Sequence, residues 1–285
     1  MRGVVYFLHG AKHAIPLVVS LYSLRKHYQG DVALIATELA SLPVFGISVD
    51  PMLRVTRTMQ IPLMTAEAPT GNYTKGPGSF NRPMITKAAL HRHTPFDVTL
   101  HLDADTLILD DPSLLLDIAE MCDCAVLPTR SVMNPERREN MVRFSGITGC
   151  EWAPQALPVN TGVMAYWKDD PLMEETLQLA IRGATAHRIA DELAMQALYT
   201  KHPHVLVTDK WNWSPIYGTD PAPKIMHSPG CRMTLGKMRQ PWLAHFKEVW
   251  DSDIASIRSW GGEEAKIWLS QLHATNFFLA FRPLI

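Results

Sequence analysis

The segment Asp97 to Leu109 reads DVTLHLDADTLIL, an apolar run leading straight into Asp103-Ala104-Asp105. Alternate residues of a strand share a face, so the two aspartates are expected to point the same way. Two such carboxylates at the end of a buried strand repel each other unless something positive lies between them. A hard divalent cation, Mn²⁺ or Mg²⁺, bound through oxygen meets that need. A metal there would clamp a substrate phosphate, and ligand sites of open α/β sheets lie at such strand ends. The bland alternative is a surface turn whose acids cap the next helix. Asp110-Asp111-Pro112 is better placed for that task. The nearly unbroken apolar character of the strand also makes it central in a sheet.

Two enzyme classes open a site with a strand ending in D-x-D. Phosphatases of the haloacid dehalogenase type begin with D-x-D-x-T, which Asp103, Asp105 and Thr106 fit, one aspartate being a nucleophile and the other a general acid. About a hundred residues precede the motif here, whereas it normally opens such a chain. Asp169-Asp170 imitates the late acidic motif of that class, but no Ser/Thr strand-end motif with a following lysine stands between.

The second class carries more features in order. VVYFLHGAKHAIPLVVSLYSLRKHY resembles the first strand, donor loop and first helix of nucleotide-sugar transferases. PMITKAALHRHTPFDVTLHLDADTLIL resembles their helix with a basic residue leading into D-x-D. Val159-Asn160-Thr161-Gly162-Val163 resembles an N-[ST]-G-V strand, Asp191-Glu192 falls on the aspartate-led helix that follows, Trp211-Asn212 resembles a W-N pair, and Lys224-Ile225-Met226-His227 a late strand ending in histidine. The ordered set, over roughly residues 1 to 245, resembles glycosyltransferase family 8, the group of glycogenin and bacterial galactosyltransferases, with a GT-A fold.

That resemblance implies roles residue by residue. Asp103, Asp105 and His227 would hold Mn²⁺ (or Mg²⁺), with Ala104 between the acids in the donor site. His9, Gly10 and His13 would line the donor loop. Lys87 matches the basic residue near donor sugar or phosphate, with Arg82 a weaker version of the same idea. Asn160, Thr161 and Gly162 would face the sugar, and Asp191 with Glu192 would lie near the reacting carbon. Lys237 or Arg232 would bind phosphate, although the family's H-F-x-G-x-x-K-P-W survives only as HSPG and QPW. Gly10 and His13 stand where the family often carries aspartate and tyrosine, and Glu192 where glutamine is usual, so the base and the mechanism stay open. The implied activity is transfer of a sugar from a nucleotide donor, UDP-linked, to an unnamed glycan, protein or small-molecule acceptor, with retention of configuration. The alternatives are the phosphatase, with Asp103 as nucleophile, and an inactive GT-A domain serving as a carbohydrate-binding module.

The elements that must position these residues alternate. Strands are expected at Val4–Leu8, Val32–Ala36, Val49–Thr58, Ala125–Pro128, Val159–Trp167, Val205–Val207 and Lys224–Met226, besides the aspartate strand. Helices are expected over Pro16–His27, Asn81 to about His93, Pro112–Met121, Pro135–Ser145, Pro171–Ala184 and Ala190–Thr200, from helical spacing and from proline at first turns. Pro62 to Ser79 reads as a long functional loop. Alternation of this kind implies an α/β fold: a Rossmann-like, mainly parallel sheet with helices on both faces. One domain over 1–245 with a helical extension over 246–285 accounts for the length.

The 285 residues are 47% hydrophobic, ample for one core. A net charge of −1 gives no reason to expect general nucleic-acid or membrane-surface binding. Cys122 and Cys124 are too close for an ordinary disulfide and there is no CxxC zinc pattern, so reduced thiols and a cytoplasmic location are expected. No signal peptide is evident, and Ile15–Leu24 is too short to span a bilayer.

Overall fold

The structure is a computed structural model describing residues 1–10, 13–38, 42–64, 81–129, 133–184, 189–214, 222–227, 244–245 and 248–249. Strands β1 (Arg2–Leu8), β2 (Val32–Ala36) and β3 (Arg57–Gln60) alternate with helices α1 (Ala14–His27) and α2 (Leu42–Val49). Next come α3 (Asn81–Ala88), α4 (Leu90–His93), β4 (Val98–Leu102), β5 (Thr106–Ile108), α5 (Ser113–Cys122) and β6 (Ala125–Pro128). The remainder is α6 (Pro135–Thr148), β7 (Val163–Trp167), α7 (Pro171–Arg182), α8 (Ala190–Leu198), β8 (His204–Val207) and β9 (Ile225–His227).

Seven strands form one sheet in the order β3-β2-β1-β4-β7-β6-β8. β7 alone runs against the rest, antiparallel to both β4 and β6. The expected mainly parallel sheet is therefore present. All five residues of β2 and of β4 are buried, the pattern of strands covered on both faces. Val4 and Tyr6 face one way with α1 and α5, in a core that also holds Leu34, Leu100 and Ala165. Met164 and Tyr166 face the other way, against α3, α6, α7 and α8.

Three local expectations change. The strand expected over Val49–Thr58 starts only at Arg57. Before it, the Asp50 carboxylate accepts from the Met52 N–H and Arg54 adopts a positive φ of 45°, so the chain turns before it can extend. The apolar run Leu42–Val49 ahead of that turn is a helix. The strand expected over Val159–Trp167 begins at Val163, with Val159 making a single bridge to Thr129. The loop 65–80 and the carboxyl-terminal extension, apart from residues 248 and 249, lie outside the described residues.

The third change bears on the site. The aspartate segment is two strands of different sheets. β4 stops at Leu102, and β5 pairs antiparallel with β9 in a separate ribbon. The turn between them closes because the carbonyl of Asp103 accepts both the Thr106 N–H (3.2 Å) and the Thr106 hydroxyl (2.8 Å). Thr106 is tied onward to Ser20 (3.0 Å) and Ser20 to Tyr6 (2.8 Å), all buried. The two aspartates thus converge through a turn anchored in the core, not through strand alternation. The Thr106↔His227 register of the ribbon is what brings His227 back beside them.

Candidate metal centre and active site

Asp103, Asp105 and His227 each offer a ligand atom, and these atoms lie within 4.8 Å of one another. His227 Nε2 is 3.2 Å from Asp105 Oδ1 and 3.5 Å from Asp103 Oδ2. The other ring nitrogen fixes what Nε2 presents. Asn212 Nδ2 donates to the Asn160 carbonyl (3.3 Å) and to Asn160 Oδ1 (3.0 Å), so the Asn212 oxygen is turned to His227 Nδ1 at 2.8 Å. A backbone carbonyl sets that orientation, which makes Nδ1 the donor and turns Nε2 toward the aspartates. Two carboxylates and one ring nitrogen thus converge on one point. Among the residue types present, this donor set fits a cation, and one histidine with two carboxylates suits Mn²⁺ better than Ca²⁺.

The charge balance agrees. Lys87, expected near the donor, is 6% exposed at the end of α3 rather than solvated. Its ammonium reaches both oxygens of Asp103 (2.7 and 2.9 Å) and lies 3.9 Å from Asp191 Oδ2. Burial pulls Lys87 down, but Asp103 and Asp191 more than offset it and hold the ammonium above its ordinary value. Burial likewise pushes Asp103 up, yet Lys87, then the His101 hydrogen bond, hold that carboxyl well below the usual range. Burial dominates at Asp191 and raises it, despite Lys87 and the Thr161 hydroxyl (2.9 Å from Oδ2). Asp191 Oδ1 is buried without a hydrogen-bond partner.

Asn160, Thr161 and Gly162 form the turn before β7. Asn160 Oδ1 accepts the Gly162 N–H (3.0 Å), and the Gly162 carbonyl accepts the Asp103 N–H (2.8 Å). A Cβ on Gly162 would lie 2.1 Å from His227 Cε1, so only glycine lets the ring stand there. Glu192 pairs with Arg137 and accepts from Asn160 Nδ2. His9 Nδ1 lies 2.9 Å from the Thr37 hydroxyl at the carboxyl ends of β1 and β2. Gly10 takes a positive φ of 77° in the loop to His13 and α1. Arg82 is exposed. Lys237 and Arg232 lie outside the described residues.

Two residues of the site were not singled out. His101, fully buried, bonds Asp103 Oδ1 at 3.1 Å, and its signal was its place two residues before Asp103, near the end of an apolar strand that stops at Leu102. Arg137 carried no local signal. The acids needed by the phosphatase reading fall at the wrong edge. The Lys168 N–H bonds the Asp97 carbonyl where β4 starts, and Asp170 caps α7 through the Leu172 N–H (2.9 Å), so Asp169-Asp170 lies across the sheet from Asp103.

No family model and no curated protein sequence matches the chain. Solved structures do. The apo form of mouse xyloside xylosyltransferase 1 superposes with a TM-score of 0.56 at 15% identity, over 80% of this chain and 98% of that one. The galactosyltransferase LgtC, in complex with donor and acceptor sugar analogues, gives 0.57 at 12% identity over 100% of both chains. The glycosyltransferase GlyE of Streptococcus pneumoniae TIGR4 gives 0.58 at 11% identity, over 92% of this chain and 64% of that one. Identities this low speak for fold, and the fold is that of the GT-A glycosyltransferases: one domain built on a mostly parallel seven-stranded sheet.

Proposed function

We propose that the protein is a metal-dependent glycosyltransferase that takes a sugar from a nucleotide donor, UDP-linked, and passes it to an acceptor with retention of configuration. The observation that carries the reading is the convergence of three metal-ligating side chains, Asp103, Asp105 and His227, whose ligand atoms lie within 4.8 Å at the carboxyl end of a buried strand. The GT-A fold supports it, as does the order of motifs that resembles family 8. In this reading Asp103, Asp105 and His227 hold Mn²⁺, which when bound offsets the negative charge that gathers on the departing diphosphate. Lys87 keeps Asp103 ionised and adds a second positive charge beside it. Asn160 and Gly162 wall the sugar pocket, where a glycine admits close approach. Asp191, buried and with one oxygen unpartnered, is in this reading the carboxylate nearest the reacting carbon. His9 and Gly10, which follow β1, and His13, which precedes α1, would form the base side of the donor site.

Asp105→Asn keeps the side-chain volume and removes one ligand charge. Calorimetric titration with UDP should show binding to the parent only when Mn²⁺ is present, and none to the variant, whose melting curve stays cooperative. A variant that binds UDP and Mn²⁺ as the parent does sinks the assignment. The chain should also form no beryllium fluoride adduct on Asp103 and should not hydrolyse an aryl phosphate. Phosphatase turnover that disappears in Asp103→Asn would overturn the transferase reading.

A further inference from the structure

A run of buried hydrogen bonds leads away from His227 to the far side of the site. His227 donates to Asn212 (2.8 Å), Asn212 to Asn160 (3.0 Å), and Asn160 to Glu192, which pairs with the Arg137 guanidinium. None of the five is more than 8% exposed. Each link has one direction. The Gly162 N–H can only donate, so it fixes Asn160 Oδ1 as acceptor and Asn160 Nδ2 as outward donor. An acceptor must therefore stand at position 192 on the Asn160 side. Arg137 offers only donors, so an acceptor must also stand on the other side. Glutamate is the residue that accepts at both ends.

Arg137 occupies a place that its own helix does not favour. Asn134 caps α6 by accepting the Arg137 N–H (2.7 Å) and Pro135 opens the first turn, so the arginine lies at the positive end of the helix macrodipole. It is nonetheless buried, with its guanidinium on Glu192 and on the Val159 carbonyl (2.5 Å). A cation held there against the dipole answers to Glu192.

We propose that Arg137 and Glu192 form a positioning pair for the metal centre, setting the direction of the hydrogen-bond run that holds His227 with Nε2 toward Asp103 and Asp105. The inference rests on the metal reading above. Glu192 is then a positioning residue, its oxygens committed to Arg137 and Asn160, and Asp191 is the carboxylate of the pair that lies toward Lys87 and Asp103.

The pair can be tested by exchanging its chemistry. In Glu192→Gln, one end of the amide is a donor. It faces either the guanidinium or Asn160 Nδ2, so two donors meet. Mn²⁺ affinity, followed by electron paramagnetic resonance without substrate, should fall about 10- to 100-fold, the usual effect of losing an outer-shell partner. Arg137→Met with Glu192→Gln removes the opposing donor and lets the glutamine oxygen serve Asn160. The double variant should return to within about threefold of the parent, a recovery no merely structural loss would give. Should Glu192→Gln fail to fold, the double variant decides alone: folding with near-parental Mn²⁺ affinity supports the pair, and failure to fold or tenfold weaker binding overturns it. Unchanged affinity in Glu192→Gln also overturns it. A parent that binds no Mn²⁺, or a His227→Ala variant that binds as well as the parent, points instead to failure of the metal reading.

Discussion

Gly162→Ala should break up the proposed Asp103-Asp105-His227 metal site while leaving the sheet intact. The added methyl would meet His227 Cε1 at 2.1 Å, Nδ1 at 2.6 Å and Asn160 Oδ1 at 2.9 Å. None of these atoms is the free end of a flexible chain. The His227 ring is 2% exposed, its backbone is paired in β9, and Asn212 holds its Nδ1. Relief has to come from moving the ring or the Asn160 turn, and either takes Nε2 off the aspartates. Overpacking of this kind costs roughly 1–3 kcal/mol of stability. Loss of a ligand should weaken Mn²⁺ binding by at least about 100-fold, the upper end for losing an outer-shell partner alone. A double-mutant cycle separates the causes. With His227→Ala as background the ring is gone, and adding Gly162→Ala should cost much less stability than it does in the parent. Equal stability losses in both backgrounds, or parental Mn²⁺ affinity in Gly162→Ala, would show that the contact does not matter.

Periodicity and punctuation carried most of the fold. β2 and β6 fall where their apolar runs fall, and α6 and α7 start where proline stands in the first turn. What local pattern missed was decided by pairing across long separations. DVTLHLDADTLIL looks like one strand because both halves are apolar, yet its second half belongs to β9, more than a hundred residues away. The choice of His227 as ligand came from a family resemblance, and only the Thr106↔His227 register gives it a physical cause. Lys87 lies on a short helix, where composition gives a solvated lysine as readily as a buried one; burial against Asp103 is a tertiary fact. Arg137, in the polar stretch PERRENMVR, has nothing local to mark it among its neighbours. Its partner, Glu192, is 55 residues on.

Lys87→Met should make the fold lean on metal. In the parent the Lys87 ammonium is the buried cation between Asp103 and Asp191, 2.7 Å from one and 3.9 Å from the other. Methionine keeps most of the bulk and removes the charge, leaving Asp103 with His101 and His227 and Asp191 with Thr161, but neither with the ammonium between them. Breaking a buried pair from one side costs about 3–5 kcal/mol. At roughly 2–4 °C per kcal/mol for a domain of this size, the metal-free protein should melt on the order of 10 °C lower. Mn²⁺ then acts with opposite sign. Lys87 competes with any metal for the oxygens of Asp103, so its removal should tighten Mn²⁺ binding even as the metal-free fold weakens. A ligand that binds only the folded chain adds about 2.7 kcal/mol at a hundredfold excess over its dissociation constant. Mn²⁺ should therefore raise the melting temperature of the variant by more than it raises that of the parent. Mg²⁺, which also binds through oxygen, should do the same to a smaller degree, because His227 favours the softer ion. The arrangement predicts two opposite movements from one substitution, a lower melting temperature without metal and a larger metal increment. A metal increment equal to or smaller than the parent's would mean that Lys87 and the cation do not share Asp103.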